Sequence, residues 1–375
     1  MRRATLWCST YREECTKLLV TPNRKVLECV EQSEDADVSI RVAGRADGPA
    51  MNALDVTALA LTLRAYPLVH SLTLTHHTFG DGATDALQEL LYSDSTLAML
   101  ELRYSDIGPS GCAKICGALA ENSSLRVLDL SGNPIGFEGG FCAAEMLQTN
   151  ESLVSLALDD TDVETQAVTA LATALRENQT LTAFSLSNPR LFSLGDETTV
   201  HFATMLGVNT TLQSLDISKH GISEHGLRQV VTALLAPRET PSALRGLSLR
   251  CNKLGDESAP LLAALIAQSE LEILNLSSCA IKDEGAIAIS RALMQRGASM
   301  AQLDLSHNSI RAPGMKALAE VLAAGAPLHA LSLWGNIMDG RAASAFASAL
   351  QISAVETDFV VYQPDEGRYT IARAN

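Results

Sequence analysis

The residues of this chain best suited to chemistry fall into three short constellations. His76 and His77 stand side by side, Cys112 and Cys116 are four residues apart, and Asp159-Asp160-Thr161-Asp162 sets three carboxylates within four positions. Paired imidazoles are candidate metal ligands, an i/i+4 thiol pair is a candidate metal or redox site, and clustered carboxylates attract calcium. Each set also has a plainer explanation. Metal ligands must converge, whereas neighbouring residues at the end of an extended segment point apart. Two cysteines on an apolar helical stripe are expected as small buried side chains. The acidic run lacks the glycine and the distal glutamate of a calcium loop. No Gly-x-x-x-x-Gly-Lys loop, Gly-x-Ser-x-Gly turn or His-Glu-x-x-His motif is present. The sequence therefore predicts no catalytic, cofactor-binding or metal-binding residue, no enzyme activity and no small-molecule substrate.

What positions these residues is a repeat. The phrase Leu-x-x-Leu-x-Leu, followed by a polar and then an aliphatic residue, starts at 69, 97, 125, 153, 181, 212, 244, 271, 300 and 328, in steps of 28, 28, 28, 28, 31, 32, 27, 29 and 28. Leu125, Leu128, Leu130, Asn133 and Ile135 state it most clearly. A fixed period of this length marks a solenoid, in which each unit buries its core only against its neighbours. The Leu-x-Leu pair predicts a short parallel strand with alternate residues inward. Asn133, Asn252, Asn308 and Asn336 then fall where a side chain can bond to backbone left open as the strand turns; His77, Ser105, Thr161, His220 and Cys279 hold that place elsewhere. Pro189 cannot donate, so a looser turn is expected there. Ala286, Ile289, Ala292 and Leu293 lie at helical spacing and predict an apolar helix stripe packed on the strand layer.

Asn122, Asn150, Asn178 and Asn209 each begin an Asn-x-Ser/Thr triplet and share one phase of the repeat, three residues before the opening leucine. That shared phase favours a structural role over glycosylation, and left-handed helix C-caps are expected. The flanks differ from the repeats. Residues 1–36 are expected to form a helical cap, with Pro22 in the first turn of its second helix; 37–355 hold one divergent and ten regular repeats. Residues 356–375 should form a capping strand and hairpin, with Phe359 and Val361 continuing the strand phase and Asp365-Glu366-Gly367 turning into Arg368-Tyr369-Thr370-Ile371 to cover the last sheet edge.

Charge narrows the partners. With 28 basic and 43 acidic residues the net charge is −15, against nucleic-acid or anionic-membrane binding, both of which need basic surface. A local basic patch in residues 1–28, including Arg2, Arg3, Arg12 and Lys17, is expected to be a solvated helix face. No stretch reaches the roughly 18 consecutive apolar residues of a membrane span. The start carries too short an apolar run for a signal peptide, and the eight cysteines fit no disulfide or zinc spacing. A soluble, cytoplasmic, reduced protein is expected.

These units resemble the ribonuclease-inhibitor class of leucine-rich repeats, which implies a right-handed α/β horseshoe with a parallel sheet on the concave face and helices on the convex face. Tyr11-x-x-x-Cys15, Thr21-Pro22-x-x-x-Val26-Leu27 and the end 357–372 are similar to the flanks of stand-alone members associated with cilia, flagella and centrosomes. That resemblance implies a non-catalytic scaffold in an axoneme or other cytoskeletal assembly, with axonemal or microtubule-associated protein partners. The class also includes an inhibitor gripping its target with concave Trp and Tyr, and a GTPase activator with an acidic tail. This sequence shares neither feature, so no residue is carried over; regulation of an enzyme or small GTPase is the alternative.

Residues alternating with the inward leucines face the concavity. One column runs Thr73, Glu101, Asp129, Ala157, Ser185, Asp216, Ser248, Asn275, Asp304, Ser332; the next Thr75, Arg103, Ser131, Asp159, Ser187, Ser218, Arg250, Ser277, Ser306, Trp334. Binding energy concentrates in Trp, Tyr and Arg. Candidate partner-binding residues are therefore Arg103 and Tyr104 near one end, and Arg250, His307 and Trp334 near the other. Two stretched units add loops, around Arg190–Leu194 with Phe192 and around 236–242, where inserts often bind.

Overall fold

The computed structural model describes residues 3–33, 38–44, 46–93, 96–191, 196–295, 299–365 and 368–374. They form two compact units, Met1–Phe192 and Ser193–Asn375. In the first, α1 (Arg3–Lys17) and α2 (Arg24–Gln32) precede β1 (Val38–Ala43) and α3 (Ala53–Ala65). Strands β2 (Val69–Thr75), β3 (Met99–Arg103), β4 (Val127–Asp129), β5 (Ser155–Ala157) and β6 (Ala183–Ser185) then alternate with α4 (Thr84–Tyr92), α5 (Pro109–Leu119), α6 (Gly136–Thr149) and α7 (Thr165–Glu177). The strands pair in parallel and in sequence order, and the middle leucine of each phrase sits opposite its counterpart: Ile40, Leu72, Leu100, Leu128, Leu156 and Phe184 form one row.

The second unit repeats the arrangement. Helices α8 (Asp196–Leu206), α9 (Glu224–Leu235), α10 (Ala259–Gln268), α11 (Asp283–Leu293), α12 (Ala312–Ala323) and α13 (Gly340–Ala349) alternate with β7 (Ser214–Asp216), β8 (Gly246–Ser248), β9 (Ile273–Asn275), β10 (Gln302–Asp304), β11 (Ala330–Ser332) and β12 (Glu356–Thr357). Leu215, Leu247, Leu274, Leu303 and Leu331 form its row. Each unit is a stretch of α/β solenoid. Paired strands lie about 4.8 Å apart and packed helices about 8–10 Å apart, so stacking both layers bends each unit with its strands inside.

The core is aliphatic. Leu125, Leu128, Leu130 and Ile135 are fully buried, as are Ala286, Ile289 and Ala292 of the helix stripe. Each such leucine or isoleucine contributes about 1.5–3 kcal/mol on burial. The backbone between strand and helix carries polar groups that this core cannot satisfy, and three side-chain ladders do so. In the first, Asn133 Oδ1 accepts from the Ser105 and Ile107 amides of the preceding turn (2.9 and 3.1 Å), while its Nδ2 donates to the Leu102 and Leu130 carbonyls (2.6 and 2.7 Å). Asn308 does the same with Cys279, Ile281, Leu276 and Leu305. This is the role expected from the phase of the asparagines.

The second ladder corrects an expectation. Asn150 and Asn178 have extended backbones (φ −73° and −69°), not left-handed ones. Their side chains do the capping instead. Asn122, Asn150 and Asn178 donate to the carbonyls of Leu91, Leu119 and Leu147 in the preceding repeat and accept from amides two and three residues ahead. An extended backbone lets the amide reach back one repeat, which a left-handed cap would not. In the third ladder, Asp81, Asp196, Asp256 and Asp283 accept from backbone amides at the start of the next repeat's helix, Gly108, Ser223, Lys282 and Arg311. A negative charge there also complements the helix dipole. Gly111 leaves room for Asp81: a Cβ would lie 2.3 Å from its Oδ1.

The ends depart further from expectation. At the first, Asn23 caps α2 by accepting from Lys25 and Val26, so Pro22 sits just before the cap rather than in the helix. At the other, Phe359 and Val361 do not extend the sheet: β12 is two residues long, and Thr357 already stands opposite Leu331. The Asp358 carboxylate replaces a strand carbonyl, accepting from the Leu333 and Trp334 amides (2.8 and 3.0 Å) and ending the ladder. Freed from the sheet, β13 (Phe359–Asp365) and β14 (Arg368–Arg373) form a separate antiparallel hairpin. It packs on α13, with the Phe359 ring edge-on to Phe346 at 5.0 Å. The hairpin therefore covers the helix layer and not the last strand edge; Glu366 and Gly367 of the expected turn lie outside the described residues.

Candidate functional site

The outward residues of the strands and the turn that follows them form the best-defined surface. On the strand face of the first unit, Thr73 Oγ1 donates to Glu101 (3.0 Å), and Arg103 bridges Asp129 (2.5 Å) and Glu101 (3.8 Å). Asp159 accepts from the Ser185 hydroxyl and the Ser187 amide, each at 2.6 Å. In the second unit Ser218 bonds to Asp216 and, at 2.8 Å, to Ser248; the Ser277 and Ser306 amides are held by Asn275 and Asp304. The polar columns thus bond mainly to one another, both within a strand and across to the next repeat. Arg250 is exposed and has no ion-pair partner among the described residues.

One residue past the second column, each of the ten regular repeats places a residue in the left-handed region. In the first unit these are His76, Tyr104, Gly132, Asp160 and Asn188; in the second Lys219, Cys251, Ser278, His307 and Gly335. The conformation turns the amide toward the next strand, as in Tyr104 N–H to Ser131 O (3.0 Å) and His307 N–H to Trp334 O (2.7 Å), and sends the side chain out along one rim of the sheet. Tyr104 and His307 therefore stand on the rim, not on the strand face. The Tyr104 ring stacks on His76 (centroids 4.8 Å apart, 5° between planes) and lies over Gly132, where a Cβ would come within 2.2 Å of it. Even so, Tyr104 is 44% exposed. His307 covers Gly335 in the same way. Trp334 is half-buried in the last repeat, its amide on Asp358.

The structure brings Arg103, Tyr104 and His76 together in the first unit and leaves Arg250 in the second; Phe192 lies outside the described residues. Sequence reasoning missed the rim row, whose trace was Gly132 and Gly335 standing just before turn asparagines at the same phase. The stretched loop at 236–242 folds back, Arg238 donating to the Ala233 carbonyl.

The constellations with chemical potential resolve as follows. His77 turns inward, its Nε2 donating to Val42 O (3.1 Å) and its Nδ1 accepting from the Met51 amide (3.0 Å), so it is held as the neutral imidazole; burial lowers its pKa. His76 turns outward to Tyr104. Cys112 and Cys116 are buried 3.8 Å apart, and their mutual contact, then burial, raises the Cys116 thiol far above its ordinary range. Burial pushes Cys279 up to about 12. Thiols this reluctant to ionise are poor nucleophiles at neutral pH. Among the described residues no three His, Cys, Asp or Glu side chains are grouped to hold a metal ion, and no helix is long and apolar enough to cross a membrane.

A family model described as leucine-rich repeat matches residues 121–142, 208–228, 269–290 and 299–319. The chain carries leucine-rich repeats and folds as their α/β solenoid. Leucine-rich repeat-containing protein 34 of Mus musculus is 31% identical to it over 189 residues, 49% of this chain and 45% of that protein. RAN GTPase-activating protein 2 of Arabidopsis thaliana is 31% identical over 118 residues, 31% of this chain and 21% of that protein. The chain thus spans less than half the length of these curated relatives. A solved chain of the yeast Rad7 and Elc1 complex superposes with a TM-score of 0.57 at 14% identity, covering 90% of this chain and 84% of that one, a likeness of fold alone.

Proposed function

We propose that this leucine-rich-repeat protein is a non-catalytic cytoplasmic scaffold holding a protein partner on the strand face and rim of its first unit. The assembly it serves is a ciliary or flagellar axoneme or a related cytoskeletal structure. The observation carrying the first part is the Arg103–Tyr104 patch. Arginine and tyrosine are the side chains that most often dominate interfaces. Here Tyr104 is stacked and Arg103 is braced by two carboxylates before any partner arrives, so little side-chain entropy is lost on binding. The axonemal part rests on the resemblance of the flanking segments to those of stand-alone, cilium-associated members of the repeat class. The test is retention of the full chain in a salt-washed axoneme fraction. Retention that Tyr104→Ala lowers about tenfold, roughly 1.4 kcal/mol, is expected; release of the wild type with soluble protein would overturn the axonemal reading.

A second reading, regulation of an enzyme or small GTPase, is supported by likeness to RAN GTPase-activating protein 2. Arg103 is the residue on which it would depend, though Asp129 and Glu101 already engage its guanidinium. GTPase rates unchanged by the purified chain would remove it.

A further inference from the structure

A solenoid carries its own control: where one repeat departs from its neighbours at a solvent-facing position, the fold does not require the departure. Helix α6 shows one on the side opposite the strand face. Phe137 and Phe141, one turn apart, are 39% and 44% exposed, with ring centroids 6.0 Å apart. A step of 28 residues either way puts Pro109 and Ala113 on α5 and Thr165 and Thr169 on α7 at the same positions. Both helices pack against α6, so the two rings stand as a ridge bordered by smaller side chains. Exposed helix positions favour alanine-like residues over phenylalanine, so folding does not select these rings.

The charges around the ridge are mostly acidic. Helix α6 has exposed Glu138 and Glu145 and no basic residue. Of its neighbours, Lys114 on α5 is already paired with Asp85 at 2.5 Å, and α7 presents uncharged Gln166, Thr169 and Thr173 before Arg176 and Glu177 near its end. An aromatic ridge with the exposed carboxylates of Glu138 and Glu145 along one side complements an amphipathic helix whose apolar stripe is edged by lysine or arginine. We propose that Phe137 and Phe141 are the anchors of a second docking surface, on the helix layer, for such a basic amphipathic helix of a partner protein. This surface is independent of the strand-face patch and would let one chain hold two partners at once.

The experiment uses the full chain and two labelled synthetic helical peptides with the same leucine stripe, one edged by lysine and one by glutamate, read by fluorescence anisotropy. The lysine-edged peptide is expected to bind at least tenfold more tightly, with the difference shrinking at high salt. Phe137→Ser with Phe141→Ser should weaken it tenfold or more, and Glu138→Lys with Glu145→Lys should remove the preference. Circular dichroism and the thermal midpoint check that these exposed variants stay folded. Tyr104→Ala separates the two surfaces: peptide binding should be unchanged. Equal binding of both peptides, no binding, insensitivity to the phenylalanine variants, or loss with Tyr104→Ala would overturn the proposal. So would a concentration-dependent dimer abolished by the phenylalanine variants, which would make a second copy the occupant.

Discussion

Asn133→Ala tests whether the turn asparagines hold the solenoid together or merely occupy space. Asn133 is fully buried and makes four short hydrogen bonds, two to amides of the preceding turn and two to carbonyls on either side. Alanine removes all four and leaves two N–H and two C=O groups facing an apolar interior. Each bond contributes about 1 kcal/mol net, and a buried group left without a partner costs about 1–3 kcal/mol, so a loss of about 3–5 kcal/mol is expected after partial relaxation. Asn133→Asp separates the two halves of the side chain. Its carboxylate can still accept from Ser105 and Ile107 but sets an oxygen against the Leu102 and Leu130 carbonyls. Burial and that opposition raise the new carboxyl's folded pKa above its unfolded value near 4. The folded state then binds more protons at this site, so the destabilisation of Asn133→Asp relative to the wild type should be smallest at low pH and grow as pH rises through the folded pKa. Urea unfolding followed by circular dichroism gives the magnitude, and amide exchange at 105 and 107 shows whether the damage is local, as nearest-neighbour stability requires. A loss below about 1 kcal/mol for Asn133→Ala would mean that water substitutes for the side chain and that the ladder is not what holds the turn.

His77 gives a pH dependence of its own. Its pKa is lowered on folding, so the unfolded chain binds the proton more readily. The contribution of His77 is complete above about pH 6.5 and is lost as pH falls through the folded value. Protonation of Nδ1 also destroys the acceptor of the Met51 amide; the thermal midpoint should fall on mild acidification, and less steeply in His77→Asn. At the other end, Asp358→Ala deprives the Leu333 and Trp334 amides of their carboxylate, a cost of about 1.5–3 kcal/mol confined to the last repeat. Amide exchange should quicken at 333 and 334 and stay unchanged around Asn133.

The period, the inward leucines and the role of Asn133 and Asn308 were legible because each position repeats with one physical demand. The left-handed rim was not, because eight non-glycine residues of varied type fill it and only Gly132 and Gly335 advertise its backbone. The Asn122, Asn150 and Asn178 series was placed correctly but given the wrong geometry. Spacing reveals that an amide is needed, not whether main chain or side chain does the capping. The closing hairpin was legible, but its packing on α13 was not, because Phe359 keeps the expected alternation while Asp358, one residue earlier, ends the sheet. Alternation alone cannot distinguish a strand that joins a ladder from one that packs on a helix. At the candidate site, Arg103 stood out as a concave arginine, but its bond to Asp129 crosses between columns and repeats, and only the register displays it.

That register also bears on where affinity can come from. Glu101, Asp129, Asp159 and Asp216 lie on the strand face, but each is already bonded to a neighbour. A partner reaching for them must first break an existing bond, and the exchange gains little, as with any hydrogen bond traded for another. Tyr104, Arg250, Phe137 and Phe141 differ in kind. Each is exposed, and covering it costs no internal ion pair. A partner that covers Tyr104, Phe137 or Phe141 gains the burial of large side chains at small desolvation cost, whereas one that covers Arg250 must supply an acceptor for its guanidinium. Substitutions along the acidic columns should then alter association rate and salt dependence, while those at Tyr104 or the phenylalanine ridge should alter dissociation.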